Sequence, residues 1–139
     1  MGLRRAAREC ALQMLYQMDV GKQGREAILE SYWQMDEHSP RVRKFANHLF
    51  EGCAARLSEI DKLIQSRAEN WRLSRMAAVD RNILRIAVFE FLYETETPTT
   101  VVINEALEIA RKFSTEESTQ FINGILDAIN KHYLPTLKR

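Results

Sequence analysis

The sequence predicts an all-α protein, a compact bundle of six or seven helices around a central apolar helix. Three observations carry that prediction. Apolar residues recur at helical spacing through most of the chain, and the breakers are sparse, with five Gly and three Pro among 139 residues. The stretch from Met76 to Tyr93 places Val79, Ile83, Leu84, Ile86, Ala87, Val88, Phe91 and Leu92 around much of a helix circumference. A helix so apolar needs neighbours on several sides. Its polar residues Asp80, Arg81, Asn82, Arg85 and Glu90 are expected where a partner or water can reach them.

The first helix is expected from Leu3 to Val20, with Leu3, Ala7, Ala11, Met14, Leu15 and Met18 facing inward. Arg5, Glu9, Leu12 and Tyr16 share another side, and Gly21 and Gly24 close the element around a tight turn at Lys22-Gln23. A second helix, Arg25 to Met35, carries Ala27, Ile28, Tyr32 and Met35. The polar break Asp36-Glu37-His38-Ser39-Pro40 follows, Ser39 suited to cap and Pro40 to open the next helix. That third helix, Arg41 to Ala54, turns Val42, Phe45, Ala46, Leu49, Phe50 and Cys53 inward. Its pattern continues through Leu57, Ile60, Leu63 and Ile64, with a kink or break between Gly52 and Ser58.

Trp71 and Leu73 are expected to fasten the lead-in to the central helix, with Ser74 as its cap. Pro98 ends that helix's polar exit. A further helix spans Val101 to Phe113. Ser114 and Glu117 fit a capping box before the last helix, Thr115 to Lys131, which packs Phe121, Ile122, Ile125, Leu126 and Ile129.

The length suits one domain, 1–139, and no internal repeat is visible. Cys10 and Cys53 are too few and too far apart for a zinc pattern and read as buried thiols. Charged residues begin at once and no apolar run approaches a membrane span, so a cytoplasmic protein without a signal peptide is expected. Catalytic signatures are missing: no phosphate-cradling loop, dinucleotide fingerprint, HExxH, CxxC or nucleophile elbow, and His38, His48 and His132 are scattered. Neither an enzyme nor a cofactor is expected.

A net charge of +1 confines any nucleic-acid site to a local patch. Arg4, Arg5 and Arg8 supply one, a positive edge at the start of the first helix, and guanidinium forks clamp phosphates and stack on bases. Tyr16 lies on the same side as Arg5, so one strand can rest phosphates on the arginines and a base on the ring. Single-stranded RNA suits such an edge better than duplex DNA, for no second basic helix looks like a major-groove reader.

The run RRAARECALQMLY (Arg4 to Tyr16), RNILRIAVFE (Arg81 to Glu90), VVINEALEIARKFS (Val101 to Ser114) and STQFINGILD (Ser118 to Asp127) resembles the NusB family of transcription antitermination factors. The resemblance implies binding of boxA RNA together with NusE, the small-subunit ribosomal protein, in an antitermination complex on RNA polymerase during ribosomal RNA synthesis. Matching positions imply RNA contacts at Arg4, Arg5, Arg8 and Tyr16 and, at the start of the last helix, at Glu117, Gln120 and Phe121. Asp80, Arg81 and Arg85 are implied on the NusE-facing surface. Ala6 stands where some relatives carry a third arginine and Gln120 where a lysine can occur, implying a weaker positive edge, while Ser114 stands where a glycine is frequent, which affects the turn and not the chemistry. The alternatives are a homodimeric protein-interaction module, and the RNA-binding domain related to ribosomal RNA cytosine methyltransferases; the short tail, Thr136 to Arg139, favours a free-standing factor. The resulting expectation is a solvent-open platform shared by the first helix and the start of the last.

Overall fold

The computed structural model describes residues 2–35 and 37–137; Asp36 of the expected polar break and Lys138-Arg139 of the tail lie outside them. The described residues form seven α-helices. They are α1 (Leu3–Asp19), α2 (Arg25–Met35), α3 (Pro40–Ala55), α4 (Leu57–Arg67), α5 (Ala78–Tyr93), α6 (Thr99–Phe113) and α7 (Glu116–Ala128). A 3-10 turn, Leu73–Arg75, leads into α5, while α7 widens into a π-helical turn, Ile129–Tyr133, and a 3-10 turn, Leu134–Thr136.

Central α5 touches α1, α3, α4, α6 and α7, and α1 lies chiefly against α3. Every residue from Asn82 to Phe91 is buried, as the nearly encircling apolar pattern requires. Phe50, Phe89, Phe91, Met14, Leu84 and Leu126 are among the largest sealed side chains, each worth roughly 1.5–3 kcal/mol of transfer free energy. Gly52 allows α3 to approach α5, since a Cβ there would stand 2.3 Å from the Phe89 ring. The expected break falls at Arg56, between α3 and α4.

Several local expectations need correction. The polar residues of α5 do not face water: Asp80, Asn82, Arg85 and Glu90 are buried, because other helices supply their partners. Ser39 caps α3 as expected, accepting from Val42 N at 3.3 Å. Ser74 instead lies within the 3-10 turn, and Ala77 precedes α5 without a side-chain cap. Thr115, not Ser114, caps α7 by accepting from Ser118 N at 3.0 Å, so no Ser114–Glu117 capping box forms. Ser114 Oγ is committed elsewhere, donating to Asp80 Oδ1 at 2.6 Å. In the turn after α1, Lys22 takes the left-handed conformation at φ 56°, while Gly21 is needed because a Cβ would lie 2.7 Å from the Gln17 carbonyl oxygen. Met35 points out and Trp33 takes the buried place on α2. Trp71 fastens nothing to the core; it stands 55% exposed. Cys10 and Cys53 are both buried, and burial pushes the Cys53 thiol well above its ordinary range.

Candidate nucleic-acid interface

The helical repeat of α1 sends its three arginines to three different environments. Arg4 is exposed, its guanidinium 4.3 Å from the centre of the Phe45 ring, a cation–π contact that leaves N–H groups open to solvent. Arg5 is half-buried and grips Glu105 of α6 with two bonds, Nε to Oε1 at 2.9 Å and Nη2 to Oε2 at 2.8 Å. The Arg5 hydrogen bond holds the Glu105 carboxyl below its ordinary range. Arg8 is 3% exposed and makes a second bidentate pair, 2.8 Å on each arm, with Glu90 of α5, itself 1% exposed.

The expected edge of three open arginines is therefore corrected to one. Arg8 turns inward because α5 presents a buried carboxylate that only a cation can balance. Further along, Lys112 of α6 pairs with Glu9 at 2.9 Å, so the α1–α6 seam alternates charge instead of accumulating it.

Beyond that seam the surface becomes aromatic. Tyr16 and Phe113 are both 41% exposed. On the first turns of α7, Glu117 and Gln120 are exposed and Phe121 is half-buried. Phe121 meets Trp71 edge-on, with ring centres 6.1 Å apart and planes at 69°. Arg5 touches α6 at Glu105, about 12 Å of helix rise before Phe113, and Phe121 lies past the following turn. Sequence reading assigned Trp71 to the core, although an aromatic residue in a loop with Arg72 and Arg75 was a usable signal of an exposed ring.

The implied partner-facing residues of α5 form an internal clasp. Arg85 sends Nε and Nη2 to the two oxygens of Asp61 on α4, both at 2.8 Å, and Nη1 to Asp19 of α1 at 3.0 Å and to Asn82 Oδ1 at 2.9 Å. Arg81 Nε also donates to Asp19, at 2.8 Å, while its Nη1 reaches the carbonyls of Leu73 and Met76. Burial would raise the Asp19 carboxyl, yet its bonds to Arg81 and Asn82 outweigh that and hold it below the ordinary range. Asp80 is occupied by Ser114. Arg81 and Arg85 border an open polar cleft of about 750 Å³, with Lys22 and Arg72 on its rim. The three residues thus form a buried or half-buried network.

No helix among the described residues is long and apolar enough to cross a membrane.

Residues 5–131 match the NusB family. The chain is 55% identical over 129 residues to the transcription antitermination protein NusB of Koribacter versatilis, covering 92% of this chain and 88% of that one. It is 45% identical over 133 residues to the NusB of Myxococcus xanthus, covering 93% and 95%. Among solved structures, NusB of T. maritima superposes with a TM-score of 0.86 at 40% identity, covering 95% of this chain and 93% of that one. A crystal structure of the antitermination factors NusB and NusE in complex with dsRNA also superposes with a TM-score of 0.86, at 25% identity, covering 96% and 99%.

Proposed function

Since the chain belongs to the NusB family of transcription antitermination factors, RNA- and protein-binding proteins and not enzymes, we propose that it binds boxA-type single-stranded RNA together with NusE. In that pairing it joins the antitermination complex on RNA polymerase during ribosomal RNA synthesis, in the cytoplasm. The observation that carries this reading is that Arg4, Tyr16, Glu117 and Gln120 are exposed and Phe121 is half-buried, so a cation, ring faces and polar edges are open to a strand. Similarity to a structure of NusB and NusE in complex with dsRNA supports the pairing with NusE and with RNA.

Arg4 meets phosphate directly, and Arg5 does so in competition with Glu105. Arg8 acts at one remove, by neutralising Glu90 and fixing the pitch of α1. Tyr16 and Phe121 offer ring faces to bases, while Glu117 and Gln120 offer an acceptor and an amide. Arg81 and Arg85 shape the NusE-facing side by holding α1, α4 and α5 in register, and Asp80 by tying α5 to Ser114 at the end of α6. A small patch of this kind sets orientation and rate more than affinity, so NusE supplies much of the binding.

The deciding experiment titrates boxA RNA, a scrambled single strand and the boxA duplex into the protein alone and into its complex with NusE. Preference for single-stranded boxA, strengthened by NusE, is the expected result. Equal affinity for all three RNAs would overturn it. The dsRNA in the related complex favours one second reading, duplex RNA as the ligand, and tighter binding of the duplex would establish that instead. Sizing the protein with and without NusE separates both from a homodimeric module, which would persist unchanged through either addition.

A further inference from the structure

The loop between α4 and α5 holds a side chain that neither the core nor the α1 edge explains. Trp71 is 55% exposed, yet the backbone beneath it is fixed. Gln65 Nε2 donates to the Trp71 carbonyl at 2.7 Å, Gln65 Oε1 accepts from Leu73 N at 2.7 Å, and Trp71 N donates to the Ala68 carbonyl at 3.1 Å. A large ring held in water on a stiffened loop is pre-organised, so little ordering entropy is lost when something covers it.

With Phe121, Trp71 walls an open cleft of about 350 Å³, within the size range of small-ligand sites. Its lining includes Asn70 and Gln120, two amides able to donate and accept, and Glu69, an acceptor. Gly124 leaves the wall open, for a Cβ there meets nothing within 4 Å. Arg67 also lines the cleft, and its Nε is buried with no hydrogen-bond partner among the described residues.

We propose that this cleft holds one unpaired nucleotide of the bound RNA. The base stacks on Trp71, its polar edge faces Asn70, Gln120 and Glu69, and an oxygen of the nucleotide accepts from Arg67. An apolar peptide side chain would leave those amides and the arginine unmatched, whereas a base edge presents donors and acceptors together. Arg75, exposed on the same loop and without an ion pair among the described residues, lines a neighbouring cleft together with Trp71 and Phe121, where a flanking phosphate would pass. The inference rests on the RNA-binding reading above and extends it from the α1 edge to a base-reading position on the α4–α5 loop.

The test measures binding of fluorescein-labelled single-stranded boxA-type RNA, with NusE present, to the wild type, Trp71→Ala, Trp71→Phe and Arg5→Ala, checking helicity and melting for each. Trp71→Ala is expected to weaken binding on the order of tenfold while melting as the wild type does, and Trp71→Phe to retain most of the affinity. RNA should also quench tryptophan emission in the wild type and much less in Trp71→Phe. Wild-type affinity for Trp71→Ala alongside a weakened Arg5→Ala would overturn the nucleotide cleft and leave RNA binding standing. No RNA binding by the wild type would overturn both. Loss of NusE affinity alone in Trp71→Ala would assign the ring to a protein contact and overturn the proposal.

Discussion

Arg8 and Arg5 lie three residues apart and have the same chemistry, yet they should answer differently to substitution. Arg8→Ala leaves Glu90 charged, buried and unpaired, at a cost of about 3–5 kcal/mol. Urea denaturation should show that loss, while Arg5→Ala, at a half-exposed pair, should change the midpoint little. Replacing both members with apolar residues, Arg8→Met with Glu90→Leu, should recover most of the stability, since the stranded charge is removed together with its partner. A single Arg8→Ala as stable as Arg5→Ala would contradict the buried pairing. Acid tests a second set of contacts. Glu105, bonded to Arg5, and Asp19, bonded to Arg81 and Asn82, both titrate below their ordinary values of 4.5 and 3.8. The stability these two confer is therefore complete above those values and is lost as the pH falls through the lower, folded ones. Melting temperature measured from pH 6 downward should fall below about pH 4, and Asp19→Asn should blunt that fall while lowering the plateau.

At the scale of the helices, the tightest constraint is the α3–α5 approach at Gly52. A Cβ would enter the Phe89 ring at 2.3 Å, and Phe89 is held by the flanking His48 and Tyr93 rings, so the ring has little room to yield. Gly52→Ala should destabilise by about 1–3 kcal/mol through overpacking, despite alanine's better helix propensity. Calorimetry showing a stabilised Gly52→Ala would mean that the helices separate freely. This contact also marks what the sequence makes legible. Helix existence followed from apolar periodicity, and Ser39 was readable as a cap because its partner, Val42 N, lies three residues away. Ser114 was misread because its hydroxyl answers Asp80, 34 residues earlier, and a local pattern carries no trace of that. The same holds for Arg8 with Glu90 and for Asp19 with Arg81 and Arg85: an arginine destined for a buried carboxylate looks, in sequence, like one destined for water. Trp71 failed in the opposite sense, read as core because aromatic rings usually are, whereas Gln65 of α4 pins only the loop's backbone and the ring stands 55% exposed.

For the molecule as a whole, a net charge of +1 provides no long-range field to gather RNA, so the salt dependence of binding must come from the few cations that meet phosphate. Counterion release gives a slope of log K against log salt of about −0.7 per phosphate neutralised on a single strand. The α1 edge as folded offers Arg4 and a shared Arg5, which amounts to a contribution of about −1.4 at most. Affinity measured across a salt series should therefore become shallower by up to about 0.7 in Arg5→Ala. In the Arg8→Met, Glu90→Leu protein the slope should not change, because the Arg8 guanidinium is spent inside the bundle and never exchanges a carboxylate for a phosphate. The double substitution is the more informative of the two, as it keeps the fold while deleting a charge that the linear sequence presents as part of the edge. A slope shallower by another 0.7 there would mean that Arg8 swings out to the strand on binding, with Glu90 left to find a new partner. An unchanged slope would fix α1 as a helix that presents its charge through Arg4 and Arg5 and spends Arg8 on staying in place.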